Sequence, residues 1–338
     1  MTRLSRRDAL KRGLLGAAGV AAAGPLGRVT AAGQAEPPAM AHATDPHAVM
    51  TGGVPAGAGI DPLAFLTEFD YGAVSRRADG RTVRDFQIVA SDRNLEVMPG
   101  VFYPAWTYNG RVPGPTLRAT EGDLVRVKFV NGGSHPHTIH FHGVHAADMD
   151  GVFEVIQPGG AYTYEFDADP FGLHLYHCHT IPIKKHIAKG LYGAFIIDPR
   201  TPRPPARELV MVMNGFDVNF DGKNEIYAVN TVPFAYQAHP IPIRTNELVR
   251  VYLVNVLEFD LLNSLHLHGN FFQVYRTGTK LVPDEFTDTI SMGQGERHIV
   301  EFTYTKPGRF MFHAHQSEFT ELGWMGMFEV KDGVEAVD

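Results

Sequence analysis

The sequence of 338 residues has a single cysteine, Cys178, and no cluster of lysine and arginine beyond its first residues. The single thiol cannot form half of an intrachain disulfide. With a net charge of −7, the chain lacks the concentrated positive charge that a phosphate backbone requires, so we expect no nucleic-acid partner. Long segments of helical periodicity are also missing. No segment after the N-terminal leader is apolar enough to span a membrane, and we expect no membrane partner.

The composition favours an all-β protein. The chain has 35 glycines, 23 prolines and 44% hydrophobic residues, which is typical of many short strands joined by turns. Its 17 histidines are the unusual feature of the composition.

The first residues resemble an export signal. Arg6 and Arg7 precede an apolar run over residues 14–26, which is the arrangement of a twin-arginine signal. We predict a signal peptide over residues 1–35, a flexible leader over 36–69, and a periplasmic or extracellular location. An ordinary basic signal or a disordered tail is the alternative interpretation.

The two halves of the chain repeat one pattern. Residues 124–131 recur as residues 248–255, and both segments alternate apolar and polar positions as a half-buried strand does. Each half then carries a His-x-His-Gly element, at residues 140–143 and 266–269. The duplication predicts two β-sandwich domains of similar topology.

A proline-rich stretch at residues 198–205 separates the two halves. We therefore predict domain 1 over residues 70–200 and domain 2 over residues 201–332. Each half also has a second histidine pair, at residues 177–179 and 313–315.

The second pair of domain 1 encloses the cysteine, in the run His177-Cys178-His179, and His186 follows eight residues after the cysteine. A thiolate with two imidazoles is the ligand set of a blue copper centre. In a strand, the two flanking histidines point to the face opposite Cys178. One strand can therefore serve a copper on one side and another metal site on the other. A buried free cysteine between two surface histidines is the alternative.

These paired histidines in two repeated β domains, one of which carries the cysteine, resemble those of a laccase-like, two-domain multicopper oxidase. The resemblance extends over flanking residues 109–115, 121–123 and 149–152. It implies two tandem cupredoxin-like Greek-key β-sandwich domains and four coppers per chain. In this family a type 1 copper takes electrons from a reductant, and a three-copper cluster between domains reduces dioxygen to water.

The resemblance also implies a role for each histidine of the pattern. The type 1 copper would be bound by His137, Cys178 and His186, with Leu191 as a non-coordinating residue in the axial position. The type 2 copper would be bound by His140 and His266. The type 3 coppers would be bound by His142, His177, His179, His268, His313 and His315.

Domain 2 lacks a second type 1 set. Asn263 stands where domain 1 has His137, and Ala314 stands where it has Cys178. We therefore expect one blue copper per chain, in domain 1.

For the reaction, we expect single electrons to enter through an exposed edge of His186 or His137. They would then cross Cys178 into its neighbours His177 and His179, which belong to the cluster.

Two acids are candidates for proton delivery to the cluster. The resemblance assigns this role to Asp150, and Glu318 is a second candidate. Either could instead be a hydrogen-bond partner that orients a ligand histidine.

The expected partners are dioxygen and a small reducing substrate or an electron-donor protein. Neither domain alone has a complete cluster. The resemblance therefore implies a homotrimer in which domain 1 of one chain meets domain 2 of the next.

Other functions stay open. A copper nitrite reductase shares the type 1 site, but that family has an aspartate in place of His140 and no histidine in place of His179. A blue-copper electron carrier would leave the eight cluster histidines unexplained. Zinc hydrolysis fits poorly, because zinc sites rarely use four His-x-His pairs. Five histidines have no predicted role: His135, His145, His174, His239 and His298.

Overall fold

The computed structural model describes residues 61–333, so the predicted signal peptide and most of the predicted leader lie outside the described residues. Within this range the chain is built mainly of strands, which confirms the all-β prediction. None of the helices between residues 61 and 333 is long and apolar enough to cross a membrane.

The first half of the described chain forms a sandwich of two sheets, called domain 1. Its strands are β1 (Ala73–Arg76), β2 (Thr82–Met98), β3 (Val101–Tyr108), β4 (Leu117–Thr120), β5 (Leu124–Asn131), β6 (His140–Phe141), β7 (Ala161–Asp167), β8 (Gly172–His177) and β9 (Tyr192–Asp198). One sheet has the order β1-β2-β5-β7, with β3 paired to β2, and the other has the order β4-β9-β8-β6. Apolar side chains of both sheets, such as Phe129 and Phe195, pack into one core.

The second half forms another sandwich, called domain 2. Its strands are β10 (Arg207–Phe216), β11 (Ile226–Val229), β12 (Ile241–Arg244), β13 (Val249–Asn255), β14 (Leu262–Leu267), β15 (Phe272–Arg276), β16 (Glu285–Thr287), β17 (Thr289–Gly293), β18 (Arg297–Phe302), β19 (Gly308–His313) and β20 (Met325–Lys331). The sheets have the orders β11-β10-β13-β18-β15-β16 and β12-β20-β19-β14-β17.

Short helices connect these strands. They are α1 (Pro62–Thr67), a 3-10 turn (Ala147–Met149), α2 (Ile183–Ala188), α3 (Ala235–Ala238) and α4 (Ser317–Glu321). The helices α2 and α4 occupy equivalent places, because each follows the second histidine pair of its domain.

The predicted flexible leader is wrong over its last residues, where α1 forms. Asp61 caps this helix by accepting the amide of Leu63 at 2.9 Å, and Pro62 occupies the first turn, where a missing amide hydrogen costs nothing. Leu66 is buried in the core of domain 2. The hydrophobic side of α1 therefore anchors the end of the leader to the folded chain.

The repeated strand also differs between its two copies. In β13, Val251 and Leu253 belong to the core of domain 2, whereas Tyr252 and Val254 belong to a cluster shared with domain 1. The prediction of a half-buried strand over residues 248–255 is therefore wrong, because both faces of β13 are covered. The domain 1 side chains in the shared cluster include Leu173, Leu175, Tyr192, Ala194 and Ile196.

A polar network accompanies this apolar interface. Arg118 of domain 1 binds Asp198 at 2.8 Å and reaches across to Glu208 of domain 2 at 2.7 Å. Glu208 also accepts the hydroxyl of Tyr252 at 2.7 Å and lies 3.3 Å from Arg250. These charged groups pair with one another in a partly buried interface. The network therefore favours one relative position of the two domains.

A buried histidine of β18 makes the stability of the chain depend on pH. Both ring nitrogens of His298 are buried without a hydrogen-bond partner among the described residues, and burial lowers its pKa to about 4. The unfolded chain takes up this proton near pH 6.5, whereas the folded chain does not. Stability is therefore lost as the pH falls from about 6.5 towards 4.

We expect His298→Leu to reduce this loss. Between pH 7.5 and 5.5, the copper-free variant should lose about 1.4 kcal/mol less unfolding free energy than the wild type, as measured by urea denaturation. The exposed His239 offers a control, since His239→Leu removes an imidazole that is not buried. Equal pH dependence in wild type and His298→Leu would contradict the assignment.

Candidate metal centre

One strand pairing in domain 1 positions the predicted cluster histidines. Strands β6 and β8 are antiparallel, with His140 directly opposite His177. His142 also faces His177, with 3.2 Å between their Nε2 atoms. These three side chains place ligand nitrogens within 4.8 Å of one another, close enough to share one metal site.

Cys178 lies on the other side of the same strand end. Its amide donates to the carbonyl of Leu191 at 3.0 Å, and both residues belong to the core of domain 1. The Sγ atom lies 3.2 Å from Nδ1 of His186, which lies 3.2 Å from Nδ1 of His137. The structure therefore brings the three predicted type 1 ligands together and places Leu191 next to the cysteine.

This donor set fits copper. Burial lowers the pKa of His137 to about 4, with a further contribution from the neighbouring imidazole, and burial lowers the pKa of His186 to about 4 as well. Both imidazoles are therefore neutral near pH 7 and available as ligands. The amide of Thr138 donates to Sγ of Cys178 at 3.4 Å. A thiolate with two imidazoles is soft ligation of the kind that copper prefers.

Domain 2 repeats the histidine arrangement on β14 and β19. His266 lies opposite His313, and His268 faces His313 with 2.9 Å between their Nε2 atoms. The three side chains again place ligand nitrogens within 4.8 Å of one another.

Backbone carbonyls orient four of these imidazoles through Nδ1. Each Nδ1 atom donates to a backbone carbonyl oxygen. The pairs are His140 to Asp150 at 2.8 Å, His266 to Asp288 at 2.9 Å, His177 to Cys178 at 3.0 Å and His313 to Ala314 at 2.6 Å. With the proton on Nδ1, the Nε2 atoms are left to bind a metal.

His179 and His315 lie at the edge of the two groups. Their ring centroids are 5.4 and 5.5 Å from the predicted type 2 histidine of the same domain. Their backbone amides donate to equivalent hydroxyls, to Thr138 at 3.0 Å and to Ser264 at 2.7 Å. Both histidines are therefore held beside their group, although neither completes a set of close ligand atoms.

The two half sets do not meet within one chain. Across residues 61–333, each set of histidine ligand atoms within 4.8 Å of one another comes from a single domain. His268 and His315 are exposed, while His142 and His179 are half-buried. The chain thus presents two open half sets at its surface.

The place in domain 2 that corresponds to the predicted type 1 site of domain 1 is filled by hydrophobic and hydrogen-bonded side chains. Trp324 corresponds to Leu191, since its carbonyl accepts the amide of Ala314 at 3.3 Å. Its indole nitrogen donates to Asn263 at 3.0 Å, and Phe319 packs in the same core. These side chains leave no donor set for copper at this place.

The two candidate acids have different surroundings. Asp150 Oδ1 lies 3.1 Å from Nδ1 of His140 and 3.7 Å from Nε2 of His145. Glu318 is exposed on α4, and the same helix places the hydroxyl of Thr320 at 3.3 Å from Nδ1 of His313. The structure thus brings Asp150 next to a predicted cluster ligand.

Sequence reasoning missed Asp288, Thr320 and Trp106. The backbone carbonyl of Asp288 orients His266 as that of Asp150 orients His140. The internal repeat could therefore have identified Asp288. Thr320 lies seven residues after His313 but belongs to no recognisable motif. Trp106 lies far along the chain from His137 and His186, the two histidines that it contacts.

The expected exposed histidine edge at the type 1 site is wrong. His137 and His186 are only 1% and 4% exposed, because Trp106 packs against both rings, with centroids 5.2 and 4.8 Å away. His135 covers Trp106 in turn, at 4.5 Å. A molecule that reaches this side of the chain therefore contacts Trp106 and His135 first.

Comparison with known proteins agrees with this geometry. Two family models, both described as multicopper oxidase, match residues 90–202 and 202–334. The solved structure of a multicopper oxidase is 57% identical, with a TM-score of 0.80, and the match covers 81% of this chain and 98% of that one.

Copper nitrite reductases are also similar. The structure of the enzyme from Nitrosomonas europaea is 27% identical with a TM-score of 0.68, covering 74% of this chain and 94% of that chain. The copper-containing nitrite reductase of Neisseria meningitidis is 29% identical over 248 residues, which cover 66% of this chain and 63% of that protein. The chain thus spans a little under two thirds of the length of that relative.

The cupredoxin-like fold is therefore confirmed, and the two family matches cover most of domain 1, all strands of domain 2 and the histidine pairs of both. The chain belongs to the multicopper oxidase family.

Proposed function

We propose that this protein is a laccase-like oxidase, which couples one-electron oxidation of a reductant to the four-electron reduction of dioxygen to water. The observation that carries the proposal is the matched pair of histidine half sets beside a single Cys-His-His set. His140, His177 and His142 in domain 1 have counterparts in His266, His313 and His268 in domain 2. Equal half sets are what a cluster shared between two domains requires.

The residues of the pattern indicate which side chains would bind each copper. His137, Cys178 and His186 would hold the type 1 copper, and the eight remaining histidines of the pattern would hold the other three. Bound copper supplies the one-electron couple at the thiolate and the site of dioxygen reduction at the histidines.

The chain itself links the two kinds of site. Cys178 and His177 are bonded neighbours, and Nδ1 of His177 donates to the Cys178 carbonyl at 3.0 Å. This short connection runs from the thiolate on one face of the strand to an imidazole on the other. Asp150, hydrogen-bonded near His140, is the side chain that we assign to hold and pass on protons at its carboxylate.

Nitrite reduction is the alternative, and the similarity to nitrite reductases favours it as the second candidate. That reaction needs a single further copper on three histidines. It would leave His179 and most of the domain 2 set without a role.

We propose further that the cluster forms between copies of the chain, in a homotrimer. Apolar side chains are exposed close in sequence to the half sets, as an interface would require. They are Val144, Phe153 and Ile181 in domain 1, and Leu261, Leu262 and Phe271 in domain 2.

Export by the twin-arginine route is also part of the proposal. We expect the double substitution Arg6→Lys and Arg7→Lys to leave the protein in the cytoplasm of a bacterial host, as read by cell fractionation. Periplasmic protein at the wild-type level would contradict the route.

For the wild type, we expect four coppers per chain and one dioxygen consumed per four electrons from a phenol. Cys178→Ser should lose the blue absorption and all dioxygen uptake while retaining three coppers, because the histidine sets are untouched. Copper analysis, absorption spectroscopy and an oxygen electrode provide these measurements.

The alternative function is tested by supplying the wild type with nitrite in place of dioxygen. Formation of nitric oxide with two coppers per chain would identify the nitrite reductase. Normal dioxygen uptake by Cys178→Ser would contradict the assigned role of the thiolate.

We expect Ile181→Glu to dissociate the assembly, since a carboxylate would be buried without a partner at the interface. The variant should sediment as a single chain, keep its blue colour and lose dioxygen uptake and part of its copper, because a cluster shared between chains needs the histidines of both half sets. Val74→Glu, at an exposed position of β1, is the matched control. A trimer with four coppers in Ile181→Glu would overturn the shared cluster at this surface.

A further inference from the structure

We propose that a cavity next to Trp106 is the electron-donor site and that it selects small aromatic reductants carrying an anionic group. The inference rests on the proposed oxidase function and specifies its reductant. The cavity has a volume of about 770 Å³, and its lining includes Arg93, Trp106, Lys185, Lys189 and Phe220.

The position of Trp106 connects the cavity to the type 1 ligands. One side of the residue lines the cavity, and its ring packs against both His137 and His186. The two imidazoles are buried, so a molecule in the cavity is separated from them by the indole ring. A reductant seated there is within contact distance of the residue that adjoins both predicted copper ligands.

Trp106 is held firmly in this place. Its amide donates to the carbonyl of Lys189 at 2.9 Å, and the residue is only 7% exposed. Phe220 at the side of the cavity is exposed and offers a flat surface against which an aromatic ring can pack. The volume lies within the range of small-molecule sites.

The charge of the lining specifies the reductant further. Lys185 places its ammonium 5.3 Å from the centre of the Trp106 ring, and Lys189 lies over Phe220 at 4.7 Å. Arg93, Lys185 and Lys189 form no ion pair with any other residue in the described range 61–333.

Two carboxylates, Asp92 and Asp217, oppose these three cations, and the charges of both act on Lys189. Asp92 also lines the cavity, and it accepts the amide of Ser134 at 3.0 Å. The excess of positive charge is local, since the whole chain carries −7. A carboxylate or sulfonate on the reductant would be attracted to this lining.

The reaction balances with a phenol that carries a carboxylate. Each phenol loses one electron and its phenolic proton and leaves as a phenoxyl radical. Four such losses supply the four electrons and four protons that convert one dioxygen into two waters.

The test compares two phenols that differ only in a remote charge, 3-(4-hydroxy-3-methoxyphenyl)propanoate and its amide. At low ionic strength we expect kcat/KM to be about tenfold higher for the acid. The double variant Lys185→Gln with Lys189→Gln should lower the acid-to-amide ratio of kcat/KM to about one. Lys184→Gln is the matched control, because Lys184 stacks on Phe259 instead.

Binding provides a readout that does not depend on turnover. We expect calorimetry to show that 4-nitrobenzenesulfonate binds the wild type about tenfold more tightly than the double variant, with the Lys184→Gln control unchanged. Dioxygen uptake with equal kcat/KM for acid and amide would overturn this inference and leave the oxidase standing. Tight sulfonate binding without any dioxygen uptake would overturn the oxidase and support the anion site. Oxidation of a protein donor only, without sulfonate binding, would overturn the small-reductant site.

Discussion

The arrangement of the candidate metal centre depends on one backbone constraint, the antiparallel pairing that sets His140 opposite His177. Because side chains alternate along a strand, fixing His177 on one face also fixes Cys178 on the other. The group of His137, Cys178 and His186 and the histidine half set of domain 1 therefore meet at the same strand end. The same pairing in domain 2 sets His266 opposite His313 and builds the second half set from the same geometry.

The packing of the two domains complements this constraint. The sheet of domain 1 that carries β8 and β9 buries part of its surface against β10 and β13 of domain 2. The apolar cluster and the Arg118 network occupy this intrachain interface, while the two histidine half sets lie elsewhere at the surface. One chain therefore uses its hydrophobic interface for stability, while its two histidine half sets remain at the surface.

Much of this site could be predicted from sequence because its information is local. The alternation around Cys178, the spacing to His186 and the repeated His-x-His pairs all act over a few residues. The predictions that were wrong all concern contacts between residues far apart in the chain. The burial of both faces of β13 depends on domain 1, and the anchoring of the leader depends on Leu66 reaching the core of domain 2. The shielding of the predicted type 1 ligands by Trp106 depends on β3, which lies far from them in the chain.

Because Trp324 occupies the place in domain 2 that corresponds to the Cys178 site, the two domains can be followed separately by fluorescence. The sequence has only two tryptophans, Trp106 in domain 1 and Trp324 in domain 2. Trp324 is fully buried where the other domain has its thiolate set, and Trp106 packs on that set itself. Each domain of the copper-free chain therefore carries its own fluorophore. Emission from single-tryptophan variants would follow the melting of each sandwich separately within one intact molecule.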